Sequence, residues 1–385
     1  MSQAQARYPE LVTPRRVEDG RREDGVLYAG TPRPSGVVAV AWRHGSLTPE
    51  RYRGLGTFRL EQFLLWGWYD ADIVARRGWE LDPAFGNLPD DTIHVVVGNR
   101  EGRILAYFDM QPAVIPPPGQ KGAAKATPRG ASSHATNGHE RSGDVTVTTP
   151  GRPWFCCEFE SYGATVFPSL AAMREVPLGE IRELPCLLRN GTARRPIVAL
   201  AATYEAIYAM SRVQVDPALG ITVTVGIMDV EARAVTAQLG IPVLYAPLAP
   251  VVRNGLPKYW RPELNDPGRF WPFVIATPDL MSADAAEHFQ RIDALLAHPM
   301  AGLARALVEF ARDTRQRLTP RALPRIRDED SELWTADPFW GMAEAGASGK
   351  SAGRADDDGT AVAADLAGMA VSATASAAAQ GRGAR

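Results

Sequence analysis

The residues best suited to chemistry fall in one short stretch, "ELPCLLRNGTARRP", Glu183 to Pro196. Glu183 is a carboxylate inside an apolar run, a residue type that serves as a general base when geometry permits. Its structural alternative is an ion pair with Arg182 or with an arginine of the loop beyond. Cys186, in the same run, is either an acyl-accepting nucleophile or an inert buried thiol, and no histidine lies close in sequence to activate it. Arg189, Gly191, Arg194 and Arg195 then form a basic turn between an expected strand and an expected helix. Glycine lets backbone approach a ligand, the arginines supply cations and a helix start supplies N–H groups. The turn therefore reads either as a phosphate cradle or as a solvated basic loop. A second pattern, "RYRGLG" at Arg51 to Gly56, has the basic-x-x-Gly-x-Gly spacing that wraps a pyrophosphate, with a plain helix-entry turn as its alternative.

The elements that must hold these residues follow from periodicity. "TFRLEQFLLWGWYDADIVARRGW" has helical content broken near Gly67, and "TIHVVVGNREGRILAYFDMQP" is two strands joined by Asn-Arg-Glu-Gly, a hairpin signal. "WFCCEFESYG" reads as a third strand, in which Glu158 and Glu160 share a face and Cys156 and Cys157 point to opposite faces. "ELPCLLRN" is a strand followed by a helix from about residue 193 to 211, then strand "ITVTVGI", helix "DVEARAVTAQLG" closed by Gly240, and strand "IPVLYAPLAP". Two more helices are expected at about 282–297 and 301–316. An antiparallel hairpin followed by β-α-β-α-β predicts a mixed α/β layer structure. Pro185 donates no ladder hydrogen bond, so its strand must carry a bulge or break there, or lie at an edge.

Composition sets the bounds. The chain has 385 residues, 45% of them hydrophobic, enough for a substantial core. A formal charge of −2 argues against a polyanion-binding surface, since nucleic-acid affinity rests on uncompensated cations. Three cysteines and a polar, charged start without an apolar h-region are read as a cytoplasmic protein with free thiols, and no apolar run is long enough to span a membrane. Residues 1–34, 116–144 and 321–385 are poor in core-forming side chains and are expected to be disordered, leaving one domain over 35–320 with an insertion at 116–144. His134 and His139 fall in that insertion and are read as solvated; no metal site is expected.

From about Phe58 to Pro250 the sequence resembles the acyl-homoserine-lactone synthases and related long-chain N-acyl amino acid synthases of the GNAT acetyltransferase superfamily. The resemblance rests on "RRGWELD" with Trp79, the acidic "DDTIHVVV" with Asp90 and Asp91, "EFESYGATVFPSL", "ELPCLLRN" and "ITVTVGIMDVEARAVTAQLGIPVLY". It implies a three-layer α/β/α fold whose mixed sheet is splayed at its centre, where a bulged strand leaves backbone groups for the donor's pantetheine. It also places the pyrophosphate site after the fourth strand. "RNGTARRP" lies there, whereas "RYRGLG" precedes the whole hairpin. The family's strand arginine falls here at Cys186, the arginine ending the hairpin at Asp109, and an arginine and a phenylalanine before the tryptophan at Tyr69 and Ile73. In the homoserine-lactone makers those charged residues hold S-adenosylmethionine in a buried network.

The resemblance implies an N-acyltransferase that uses acyl-CoA or acyl-carrier protein as co-substrate, with no tightly bound cofactor and a small amine as acceptor. Glu183 is then the base; Trp79, Asp90, Asp91, Phe108 and Cys186 are substrate-binding candidates; and Arg189, Gly191, Arg194 and Arg195 take the donor's phosphates. Trp79, Phe108, Tyr162 and Phe167 line an acyl pocket on this reading and pack a core on the alternative. The rival function is a non-catalytic scaffold that binds an acyl thioester or a partner protein.

Overall fold

Strands buried on both faces of a sheet organise the molecule. The computed structural model describes residues 8–12, 25–112, 176–185, 187–191, 196–228, 230–245, 258–261, 271–317 and 335–336. Its strands are β1 Val26–Ala29, β2 Val37–Arg43, β3 Ile93–Asn99, β4 Ile104–Pro112, β5 Ile181–Leu184, β6 Leu187–Arg189, β7 Val223–Met228, β8 Leu244–Tyr245, β9 Trp271–Ala276 and β10 Thr335–Ala336. Its helices are α1 Pro9–Val12, α2 Pro49–Leu65, α3 Ala71–Arg77, α4 Pro196–Gln214, α5 Val230–Leu239, α6 Thr277–Leu280, α7 Ala283–Leu296 and α8 Met300–Arg317. The strands form one sheet in the order β1-β2-β3-β4-β5-β7-β9-β8-β10, with β6 paired to β4. β5 and β7 are parallel; the other pairs are antiparallel.

Successive strand residues point to opposite faces, which separates two cores. Val38, Val40, Trp42, Val96, Tyr107 and Leu188 pack with Leu11 of α1 and with Leu55, Phe58 and Phe63 of α2. Val37, Ala39, Ala41, Val95, Phe108 and Met110 pack with Tyr204, Ile207 and Met210 of α4 and with Ile292 and Leu296 of α7. The result is helices, sheet, helices in three layers. α2 starts where the Thr48 hydroxyl accepts the Arg51 N–H at 3.3 Å and Pro49 takes the first turn. It ends before Gly67 at φ 67°, and α3 is capped by Asp70 and closed by Gly78 at φ 63°.

The hairpin forms as expected, with Gly102 at φ 76° in the turn after Asn99. One expectation is corrected. Residues 1–34 do contain core structure: α1, β1 and a buried Arg33 fall there. In the sheet β9 lies between β7 and β8, the strand of "IPVLY", and pairs with both. "RYRGLG" lies in the opening turns of α2, as on the helix-entry alternative; a side chain on Gly54 would meet Tyr8 at 2.7 Å and one on Gly56 would meet Phe85 at 3.2 Å, so these glycines admit packing partners. The expected strand "WFCCEFESYG" and the segments 116–144 and 337–385 lie outside the described residues.

Candidate active site

Pro185 marks the point where the sheet changes. β4 pairs Gln111 with Glu183 and, further on, Phe108 with Leu187. Between these pairs β4 has two residues, Asp109 and Met110, and the opposing strand has three, 184 to 186: a bulge of one residue. The same point ends the parallel pairing, whose last pair is Leu184 with Gly226. Among the described residues β7 continues through Ile227 and Met228 paired only with β9, and β6 continues paired only with β4. Two parallel strands thus part company at the bulge, one side of the proline expectation, and among the described residues their facing backbones are not paired there. Gly226 has no room for a side chain, since a Cβ would come 2.7 Å from the Leu184 carbonyl oxygen.

Glu183 is fully buried one pair before the bulge. Directly opposed residues of antiparallel strands share a face, so Glu183 lies on the face of Gln111 and Asp109, toward α2. A polar cluster is built there. Arg59 of α2 donates from Nε to Asp82 Oδ2 at 2.6 Å and from Nη1 to Asp109 Oδ2 at 2.6 Å and Tyr107 Oη at 3.1 Å. Asp82 also accepts from Tyr69 Oη at 2.8 Å and the Ala84 N–H at 3.0 Å, and Gln111 Nε2 donates to Asp109 at 3.0 Å. Arg59, Asp82 and Asp109 are all buried, so these charge-assisted bonds act in a low dielectric. Burial, and next the Asp82 carboxylate, push the Tyr69 phenol well above its ordinary range and keep it a donor. Asp109 is thus the partner of an arginine from another element.

The candidates from sequence are placed as follows. Trp79 is half-buried in the α2-side layer, edge-on to Tyr259 at 5.2 Å. Phe108 is buried in the α4-side core, on the opposite face from Glu183, so those two are not brought together. Asp90 is exposed, and Asp91 is reached by Arg182 Nη2 at 3.5 Å, which takes up the arginine next to Glu183 in sequence. Arg189 lies with its guanidinium 5.7 Å from the Trp66 ring centre, and its carbonyl accepts from Trp66 Nε1 at 3.2 Å. Gly191 donates its N–H to Gln62 Oε1 at 3.0 Å, and a Cβ there would meet Leu65 at 2.7 Å. The close approach of this glycine is to the end of α2, and its amide is already engaged. Cys156, Cys157, Glu158, Glu160, Tyr162, Phe167, Cys186, Arg194 and Arg195 lie outside the described residues.

Sequence reasoning missed Arg59, Asp82, Tyr107 and His94. The available signals were an arginine between Phe58 and Leu60, and a histidine and an aspartate inside buried strand runs, "IHVVV" and "ILAYFDM". Among the described residues no group of three or more His, Cys, Asp or Glu side chains is arranged to hold a metal, and no helix is long and apolar enough to cross a membrane.

No protein-family model and no curated protein matches the chain. Similar solved structures include the crystal structure of TofI in a ternary complex with an inhibitor and MTA, at 14% identity and TM-score 0.33, covering 66% of this chain and 96% of that one. They also include BjaI, a CoA-dependent acyl-homoserine lactone synthase solved with SAM and isopentyl-CoA, at 16% identity and TM-score 0.32, covering 69% and 96%. Likeness at that level decides nothing about activity.

Proposed function

We propose that the protein is an N-acyltransferase that moves an acyl group from a thioester, acyl-CoA or acyl-carrier protein, to an amine. The observation that carries this reading is the parting of β6 from β7 at the Pro185 bulge, which leaves peptide groups for an extended amide-bearing donor beside a buried carboxylate. In the step, the amine nitrogen attacks the thioester carbonyl and a C–N bond forms. The C–S bond breaks, Glu183 takes the ammonium proton, and the departing thiolate takes up a proton. Backbone N–H groups at the bulge would stabilise the oxyanion. Arg189, with Arg194 and Arg195 beyond it in sequence, supplies cations for the donor's phosphates or for an acidic carrier protein. The Arg59 cluster holds β4 opposite the bulge and thereby fixes where Glu183 stands. Trp79, Asp90 and Asp91 remain the proposed substrate-binding residues.

One observation favours the second reading, a non-catalytic scaffold that binds a thioester or a partner protein: Glu183 has no solvent exposure. A single experiment separates the two. Purified protein is incubated with acyl-CoA donors and an amine panel, wild type beside Glu183→Gln, with product read by mass spectrometry and folding by circular dichroism. Catalysis by Glu183 predicts wild-type product and about a hundredfold loss or more in a well-folded variant. Equal turnover by the folded variant would remove Glu183 as base. Stoichiometric donor binding without turnover across the panel would support the scaffold.

A further inference from the structure

The last turn of α2 begins with a glutamine that leads an apolar stretch, "QFLLW", Gln62 to Trp66. A carboxamide buried among apolar side chains must find a partner. Gln62, 3% exposed, finds it outside the helix, where its Oε1 accepts the Gly191 N–H at 3.0 Å. Trp66 follows four residues later, its backbone N–H on the Gln62 carbonyl at 2.9 Å, so the two side chains share one face. From that face Trp66 Nε1 donates to the Arg189 carbonyl at 3.2 Å. β4 holds the residue between: the Asn190 N–H reaches the Leu105 carbonyl at 2.9 Å and its Nδ2 the Ile104 carbonyl at 2.7 Å. Each residue of the 189–191 turn is thus tied through its backbone, two to α2 and one to β4.

A turn held in this way also sets where its side chain starts. The Arg189 guanidinium lies over the Trp66 ring, 5.7 Å from its centre, an arrangement that favours the cation without neutralising it. Among the described residues no carboxylate pairs with Arg189. The amides of Asn190 and Gly191 are already engaged, so the group this turn offers an anion is the guanidinium. Its planar fork matches phosphate in a set orientation, which makes its aim matter. α2 also carries Arg59, three residues or about 4.5 Å of helix before Gln62, so one rigid element links the cluster beside Glu183 to the turn.

We infer that Gln62 and Trp66 are positioning residues: they hold the 189–191 turn so that Arg189, seated on the Trp66 indole, meets the phosphates of a coenzyme A thioester. Their role rests on the acyl-CoA form of the proposed function and adds to it what aims the cation. Titration calorimetry of the full chain with coenzyme A tests this as a double-mutant cycle. Arg189→Gln should weaken binding by about tenfold or more, the loss of a charge-assisted contact. Gln62→Met keeps length and helix propensity but cannot accept the Gly191 N–H, and Trp66→Phe keeps a ring but cannot donate to the Arg189 carbonyl. Each should weaken binding about fivefold, the contribution of one hydrogen bond. In the Arg189→Gln background the same two changes should cost less than about twofold, because they act through Arg189. Circular dichroism melts check folding, and either variant carries the cycle if the other does not fold. Losses of the same size in both backgrounds, or no loss in the wild-type background, would overturn the positioning roles and leave the proposed function standing on wild-type coenzyme A binding. Wild-type protein that does not bind coenzyme A would overturn the inference together with the acyl-CoA form of the proposed function.

Discussion

Replacing Arg59 with methionine tests the buried cluster on which the placement of Glu183 depends. Methionine keeps the helix propensity and most of the stem's packing but removes every donor. Asp109 loses a 2.6 Å bond and keeps the Gln111 amide; Asp82 loses a 2.6 Å bond and keeps Tyr69 and the Ala84 N–H. Two bonds to charged groups, at roughly 1.5–3 kcal/mol each, give a loss of about 3–6 kcal/mol. The general cost of breaking a buried pair by removing one partner, about 3–5 kcal/mol, agrees. For a domain of this size that is a fall in Tm of the order of 10 °C. The stranded aspartates are relieved by taking up protons, so the folded variant binds more protons than the unfolded chain and the deficit relative to wild type shrinks as pH falls from 7 to 5. Urea denaturation at pH 7, 6 and 5, read by circular dichroism with the slope checked for constancy, measures both effects. Changing Arg59, Asp82 and Asp109 together to Met, Asn and Asn should recover much of the loss, because no charge is left buried. A loss below about 1 kcal/mol at pH 7, or one that does not change with pH, would refute the description of this cluster as mutually dependent buried charges.

Two glycine substitutions test the geometry on either side of the site. Gly226→Ala should cost about 1–3 kcal/mol in urea denaturation and disturb the end of the parallel pair, because its Cβ would meet the Leu184 carbonyl at 2.7 Å and the Phe273 ring at 2.8 Å. If the proposed function holds, the same variant should weaken acyl-CoA binding measured by calorimetry more than Gly102→Ala does. Gly102→Ala combines a φ of 76° with a clash at 2.3 Å against the Pro9 backbone nitrogen, so it should lower Tm and raise protease cleavage near α1 without changing donor binding.

What the sequence determined by itself is what depends on near neighbours along the chain. The β3–β4 hairpin was legible in apolar runs around Asn99 to Gly102, α4 in its long apolar run, and a bulge or an edge in a proline that cannot donate to the sheet. β2 was not, although "VVAVAWR" is apolar, because it is buried on both faces and shows no period. β9 shows the same want of alternation, with Pro272 inside it. The start of helix α2 is hidden in the sequence because Arg51, Arg59 and Gln62 are buried polar residues that blur its apolar face. Only the tertiary structure decided that Arg59 meets aspartates 23 and 50 residues away, that Phe108 faces away from Glu183, and that Gly191 gives its amide to Gln62. A lone arginine, tyrosine or histidine carries no local mark of its partner; the match is made by the register of β4 and the path of α2 across the sheet, and distance along the chain says nothing of either.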